Sequence, residues 1–115
     1  MATGYNNMTT LDLGTNFNTE NVVVMKDMFA YAGYNKMTEV NFGSNFNTAN
    51  VKDMSWMFAN FGFIALKELR LTQFDTSNVT NMEWRFVECG YTQLTALTLG
   101  NNFNTAKVVN MSGMF

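Results

Sequence analysis

The residues best suited to chemistry in this chain are two glutamates and an arginine. Glu39 and Glu68 sit in matching contexts, T-E-V-N-F and K-E-L-R-L, with Arg70 two places after the second. Paired carboxylates carry acid–base chemistry in glycoside hydrolysis, and beside a guanidinium they equally make a solvated ion pair. No other residue type supports a reaction. Histidine is absent, Cys89 is the only cysteine, and neither a glycine-rich phosphate loop nor a metal-ligand spacing occurs. The sequence therefore predicts a protein that is not an enzyme, with no catalytic residue, no metal and no cofactor.

The two glutamates match because the chain repeats itself. The segments 8–29, 37–58, 66–86 and 94–115 share one pattern: M/L-x-x-L-x-L, a short turn, then F-N/D-T-x-x-V-x-x-M-x-x-M-F. Their starts are 29, 29 and 28 residues apart. A fixed period of this size signals stacked supersecondary units. The repeats are taken as 8–36, 37–65, 66–93 and 94–115, all in one domain over 1–115, with 1–7 as the loop of a preceding unit.

Within each unit two periods follow one another. Leu11 and Leu13, Val40 and Phe42, Leu69 and Leu71, and Leu97 and Leu99 alternate with polar residues, the period of a short half-buried strand. The stripe Val51, Met54, Met57, Phe58, with its counterparts in the other units, has the spacing of one helix face. Asn18, Asn47, Asp75 and Asn104, each followed by threonine, would cap these helices. Gly33, Gly62 and Gly90 would end them in the left-handed conformation, with Tyr34, Phe63 and Tyr91 packing back on Phe29, Phe58 and Phe86. Strands stack about 4.8 Å apart and helices need roughly 10 Å. The expected fold is an α/β solenoid of four units, leucine-rich-repeat-like, with parallel strands on a concave side and short helices on a convex side.

That fold places the outward strand residues Asp12, Glu39, Asn41, Glu68, Arg70 and Thr98 on the concave face, where solenoids typically bind ligands. Trp56 and Trp84 share one helical position opposite the apolar stripe. They read either as a contact patch or as cover lying flat over neighbouring side chains. Phe61, Phe63 and Ile64, with Tyr31, Tyr34 and Tyr91, read as loop core, or alternatively as a row for stacking sugars. Cys89 is expected as an interior thiol. Arg85 replaces the stripe methionine and is expected to bury its stem while its guanidinium reaches water.

Net charge is −2, and the seven lysines and arginines are scattered, so nucleic acids and anionic membranes are not the expected partners. No apolar run approaches the length of a membrane span.

With these residues in view, the chain resembles the BspA-like leucine-rich-repeat family of bacterial surface proteins. Their units read close to L-x-x-L-x-L-x-x-F-D-T-S-N-V-T-N-M-x-x-M-F. Segment 66–86 (LKELRLTQFDTSNVTNMEWRF) is the nearest copy and 94–115 (LTALTLGNNFNTAKVVNMSGMF) the next. The resemblance implies a non-enzymatic module at the cell surface or outside the cell, an adhesin binding host or neighbouring-cell proteins or glycans.

The alternative is a structural protein that assembles with itself. Residues 4–8 (GYNNM) match 33–37 (GYNKM), so the sequence begins inside a post-helix loop and ends on a stripe residue, without polar caps. Head-to-tail stacking of copies is one expectation. An internal slice of a longer array is the other.

Overall fold

The computed structural model describes residues 5–114; Gly4 and Phe115, which enter the matches made above, lie outside them. Four three-residue strands carry the period-two segments: β1 (Thr10–Asp12), β2 (Glu39–Asn41), β3 (Glu68–Arg70) and β4 (Ala96–Thr98). They form two small parallel sheets, β1–β2 and β3–β4. The register matches the repeat, with Leu11 opposite Val40 and Leu69 opposite Leu97. In each strand the central apolar residue faces inward and its two neighbours are exposed.

The predicted helices do not form: among the described residues there is no helix. Each stripe is instead a run of tight turns, and the backbone hydrogen bonds show why. The amides of Met25, Asp27, Phe29 and Tyr31 donate across to the carbonyls of Asp53, Ser55, Met57 and Ala59 in the next unit, at 2.8–3.0 Å. The amides between them, on Met28, Ala30 and Ala32, donate three residues back within their own unit. The next unit repeats the alternation, with Met54, Trp56, Phe58 and Asn60 donating to Asn81, Glu83, Arg85 and Val87. A helix would keep all these bonds internal. Here every second one joins neighbouring units, and isolated parallel bridges (Val24 with Asp53, Asp53 with Asn81, Asn81 with Asn110) mark this second wall.

The turn run requires a left-handed residue at intervals. Asp27, Trp56 and Trp84 have φ of 59°, 59° and 54°, and Gly113 takes the same position in the last unit at 64°. The asparagines read as helix caps make two-residue turns: Asn18, Asn47, Asp75 and Asn104 each accept, through Oδ1, the amide two residues on, at 2.8–2.9 Å.

Without helices, the cause of the expected curvature disappears. Ring centroids along the turn wall lie 5.6 Å apart for Phe29 and Phe58 and 5.8 Å for Phe58 and Phe86. At the strand-to-turn corner Phe46 and Phe74 are 5.4 Å apart. Both walls therefore rise at close to sheet spacing, well below the 8–10 Å between packed helices. The exposed surface of the four strands makes up the strand face of the molecule.

Burial explains why a helix pattern could serve this architecture. Residues 57–62 are all buried in succession, which no single helix face permits, and Ser55 and Asn60 are buried with them. The core is deepest in the two middle units, where Val51, Met54, Met57, Phe58, Leu69, Leu71, Phe74, Val79 and Met82 are inaccessible to solvent. The ladder thins outward: Leu13, Val22, Leu97, Leu99 and Val108 are half-buried and Met111 is exposed.

The threonine of the first three F-N/D-T segments is a structural residue. Thr19, Thr48 and Thr76 are buried, and each hydroxyl bonds both backbone groups of one residue in the next unit. Thr48 Oγ1 donates to the Asp75 carbonyl and accepts the Asp75 amide, both at 2.8 Å. Thr19 does the same to Asn47 and Thr76 to Asn104.

Candidate functional site

All six predicted strand-face residues are exposed. Asp12 stands opposite Asn41, Arg70 opposite Thr98, Glu39 beside Thr10 and Glu68 beside Ala96. Two of them are partly committed to the fold. Asp12 Oδ1 accepts the Gly14 amide at 2.9 Å and Asn41 Oδ1 accepts the Gly43 amide at 3.0 Å, setting the turns after β1 and β2.

Between β2 and β3 the sheet is interrupted. On the turn wall the second and third units are bonded throughout, but no backbone bond joins their strands. Two features coincide at this seam. By the repeat register it is where two carboxylates, Glu39 and Glu68, stand on adjacent strands, and like charges opposite one another disfavour pairing. The third unit's turn is also one residue shorter, with Thr72 where the others carry Gly14, Gly43 and Gly100. Those glycines have φ of 69°, 81° and 82°, and a side chain at Gly43 would collide with the Gly14 carbonyl oxygen. Gln73 bridges the difference: its Nε2 donates to the carbonyls of Gly43 and Phe46 at 2.9 and 3.0 Å.

The seam opens a cleft of about 370 Å³ lined by Thr38, Glu39, Val40, Glu68 and Arg70. Arg70 Nε is paired with Glu68 Oε1. Both partners are solvent-exposed, so the pair orients the guanidinium more than it stabilises the fold. The cleft presents carboxylate oxygens, guanidinium donors and a hydroxyl on a rigid backbone, which suits hydrogen-bonding recognition.

Trp56 and Trp84 are stacked, with centroids 5.6 Å apart and planes 25° from parallel. Trp84 is the more exposed, at 37%, and its Nε1 donates to Glu83 Oε1 at 3.2 Å. Its other face lies on Gly113, where an added Cβ would fall 2.2–2.5 Å from the indole carbons. Holding two tryptophans in the left-handed region costs about 1–3 kcal/mol each.

The aromatics after the turn run form a column of their own. Tyr5, Tyr34, Phe63 and Tyr91 stack on one another at 4.6, 4.7 and 5.0 Å, within 8° of parallel, and Tyr31 flanks the first two. Ring stacks on ring from one unit to the next, so this column is rung-to-rung packing, with Tyr91 exposed at its end. Phe61 is fully buried in the core, as loop core requires, while Ile64 is exposed.

Arg85 departs most from expectation. Its guanidinium does not reach water but is fully buried, and among the described residues none of its three nitrogens has a hydrogen-bond partner. Four rings enclose it, those of Phe58, Phe74, Phe86 and Phe103, with Cζ 4.9–5.7 Å from their centres. Burial pushes its pKa down to about 9, and it stays charged at neutral pH. Cys89 is half-buried as a residue, packs its thiol against the core, and lines a separate cleft of about 240 Å³ with Phe86, Glu88, Tyr91, Leu94 and Leu97. Burial pushes this thiol up to about 12, against the pull of Arg85, so it is protonated and unreactive.

Among the described residues no three metal-ligating side chains gather, and no helix is long and apolar enough to cross a membrane. The family described as Mycoplasma protein of unknown function, DUF285, matches residues 1–88 and again residues 61–115. The chain belongs to this family. The two DUF285 matches overlap over residues 61–88, the length of one repeat, so the family's own pattern spans several of these units. Comparison with curated proteins and with solved structures returns no match.

Three features of this DUF285 chain were not read from the sequence: the seam, the ring cage around Arg85 and the placement of Asp27 beside the tryptophans. Only the last had a usable signal, since Asp27, Trp56, Trp84 and Gly113 occupy one column of the repeat.

Proposed function

We propose that this chain is a non-enzymatic binding module, a leucine-rich-repeat-like solenoid of the BspA-like kind displayed at the cell surface or outside the cell. It contacts proteins or glycans through its strand face. The observation that supports this reading is the strand face itself. Exposed polar side chains project from four rigid strands, and the face opens into the Glu39–Glu68–Arg70 cleft at its middle. Rigid elements presenting an exposed polar row favour recognition, because little side-chain scaffold must be ordered on binding.

The test is capture of the purified chain on arrays of immobilised matrix proteins and glycans. Replacing Glu39, Asn41, Glu68 and Arg70 together by alanine should weaken capture at least tenfold, about 1.4 kcal/mol. All four are exposed, so stability should fall only by the loss of the Asn41 turn bond, about 0.5–1.5 kcal/mol. Capture that survives the quadruple variant overturns the strand-face reading. Light scattering across a concentration series tests the alternative, self-assembly, directly: growth of particle mass with concentration supports it and removes the need for a foreign ligand.

A further inference from the structure

The bonds that join each unit to the next are left half-made on the two outer faces of the stack. Met25 and Asp27 donate to the carbonyls of Asp53 and Ser55, but the amides of Met111 and Gly113, in the same columns, have no acceptor among the described residues. On the opposite face the carbonyls of Val24 and Lys26, in the columns of Asp53 and Ser55, receive no donor. Leu13 and Leu71 donate to the carbonyls of Asn41 and Thr98, and the Leu99 amide has no such bond. Thr76 bonds both backbone groups of Asn104. Thr105, which follows it in the repeat, has a hydroxyl without a partner, and no threonine of the described residues holds the backbone of Asn18. Side chains repeat the pattern. The cleft of about 240 Å³ is lined by Tyr91, Leu94 and Leu97, whose columns begin at Tyr5, Met8 and Leu11. Inner members of these columns are covered by the next rung: Phe63 lies under Tyr91 at 5.0 Å, and Leu66 and Leu69 are inaccessible. Tyr91 is 69% exposed at one end of its column and Tyr5 37% at the other.

We propose that the fourth-unit face of one copy docks on the first-unit face of a second copy. Tyr5 of the second copy stacks on Tyr91, its Met8 and Leu11 fill the cleft over Leu94 and Leu97, and Thr105 bonds the backbone of its Asn18. A second copy is the occupant because the two faces complement each other donor for acceptor. They do so in the register that already joins units within the chain, so the contact continues an interface the fold makes three times over. Open strand edges invite such pairing. The two faces differ, so the contact is heterologous and does not close, and copies run on as a filament. This contact deepens the self-assembly alternative and does not rest on the strand-face reading, since stacking leaves that face uncovered.

The full chain is followed by analytical ultracentrifugation from micromolar to millimolar concentration. Its mean mass should rise past two copies without a plateau. Tyr91→Lys with Met111→Lys blocks the fourth-unit face, and Tyr5→Lys with Phe17→Lys blocks the first-unit face, because docking would bury an unpaired charge. All four positions are exposed, so both variants should fold as the parent does. Each variant alone should stay monomeric at concentrations where the parent mass has at least doubled. Mixed in equal amounts, the two should form a two-copy species and nothing larger, since each keeps the one face that the other lacks. That rescue also shows that neither variant is merely unfolded. The strand-face quadruple variant should stack as the parent does, so its loss of capture is read separately. A parent that stays monomeric, a plateau at two copies, which marks a closed symmetric pair, or a mixture without the two-copy species overturns the proposal.

Discussion

The guanidinium carbon of Arg85 lies 4.9 Å from the centre of the Phe86 ring, in a cage where no hydrogen-bond acceptor of the described residues reaches it. Ring contacts of this kind offset about 2 kcal/mol when desolvated, whereas a buried ion loses several kcal/mol of hydration. The charge is therefore a net burden on the fold. Met28, Met57 and Met114 fill the same position in the other units. Arg85→Met should raise stability by about 1–4 kcal/mol, read from the urea midpoint. A loss of stability would show that the cage more than compensates the buried charge.

Arg85 and Cys89 should bend the pH dependence in opposite senses. The Arg85 pKa is lowered to about 9 and that of Cys89 raised to about 12. Between about pH 9 and pH 12 the unfolded chain keeps the arginine proton that the folded chain sheds, so this group makes stability rise with pH. Over the same window the unfolded chain loses the thiol proton that the folded chain keeps, so Cys89 makes stability fall. Relative to the parent, Arg85→Met should lose stability from about pH 8 to pH 11 and Cys89→Ala should gain it. Urea titrations at several pH values check both signs, and parallel curves for all three proteins would refute the coupling.

Thr48→Val keeps the shape of a buried side chain but strips the hydroxyl from two backbone groups of Asp75. Each group left unsatisfied costs about 1–3 kcal/mol, so losing both should cost the variant about 2–6 kcal/mol. Thr48→Ser retains both bonds and should lose less than half as much. Chemical denaturation of the pair measures the difference.

Met54 is inaccessible and Met111 is 44% exposed, although both occupy the same place in the repeat. Met54→Ala should cost about 2–5 kcal/mol. Met111→Ala should cost under about 1 kcal/mol. Thermal unfolding of the two variants ranks them, and similar losses would mean that the core does not thin toward the last unit.

The repeat, the strands and the outward strand residues were legible because period two has one simple structural meaning. Leu11, Val40, Leu69 and Leu97 point inward, and their neighbours point out, as alternation requires. The turn wall was not legible. Val51, Met54, Met57 and Phe58 satisfy a helix face and a run of tight turns equally well, because both bring residues three and four apart to one side. The discriminating facts are non-local: the amide of Trp56 bonds to Glu83 in the next unit, and Ser55 and Asn60 are buried where a helix would show a polar side. Arg85 was misread for the same reason. Its place on a helix flank would have led to water, and its place in a turn run leads into four rings.

The interrupted strand wall gives the molecule a spine and a fore-edge. Along the spine, the turn wall, the second and third units are sewn together amide by amide. Along the fore-edge, between β2 and β3, no backbone stitch exists, and the Gln73 side chain is the clasp. Between these two leaves the buried core and side-chain bonds hold where no ladder runs, whereas β1 and β2, and β3 and β4, are laddered together. The strand face is thus laddered within each half and unladdered along one line, the line that runs between Glu39 and Glu68.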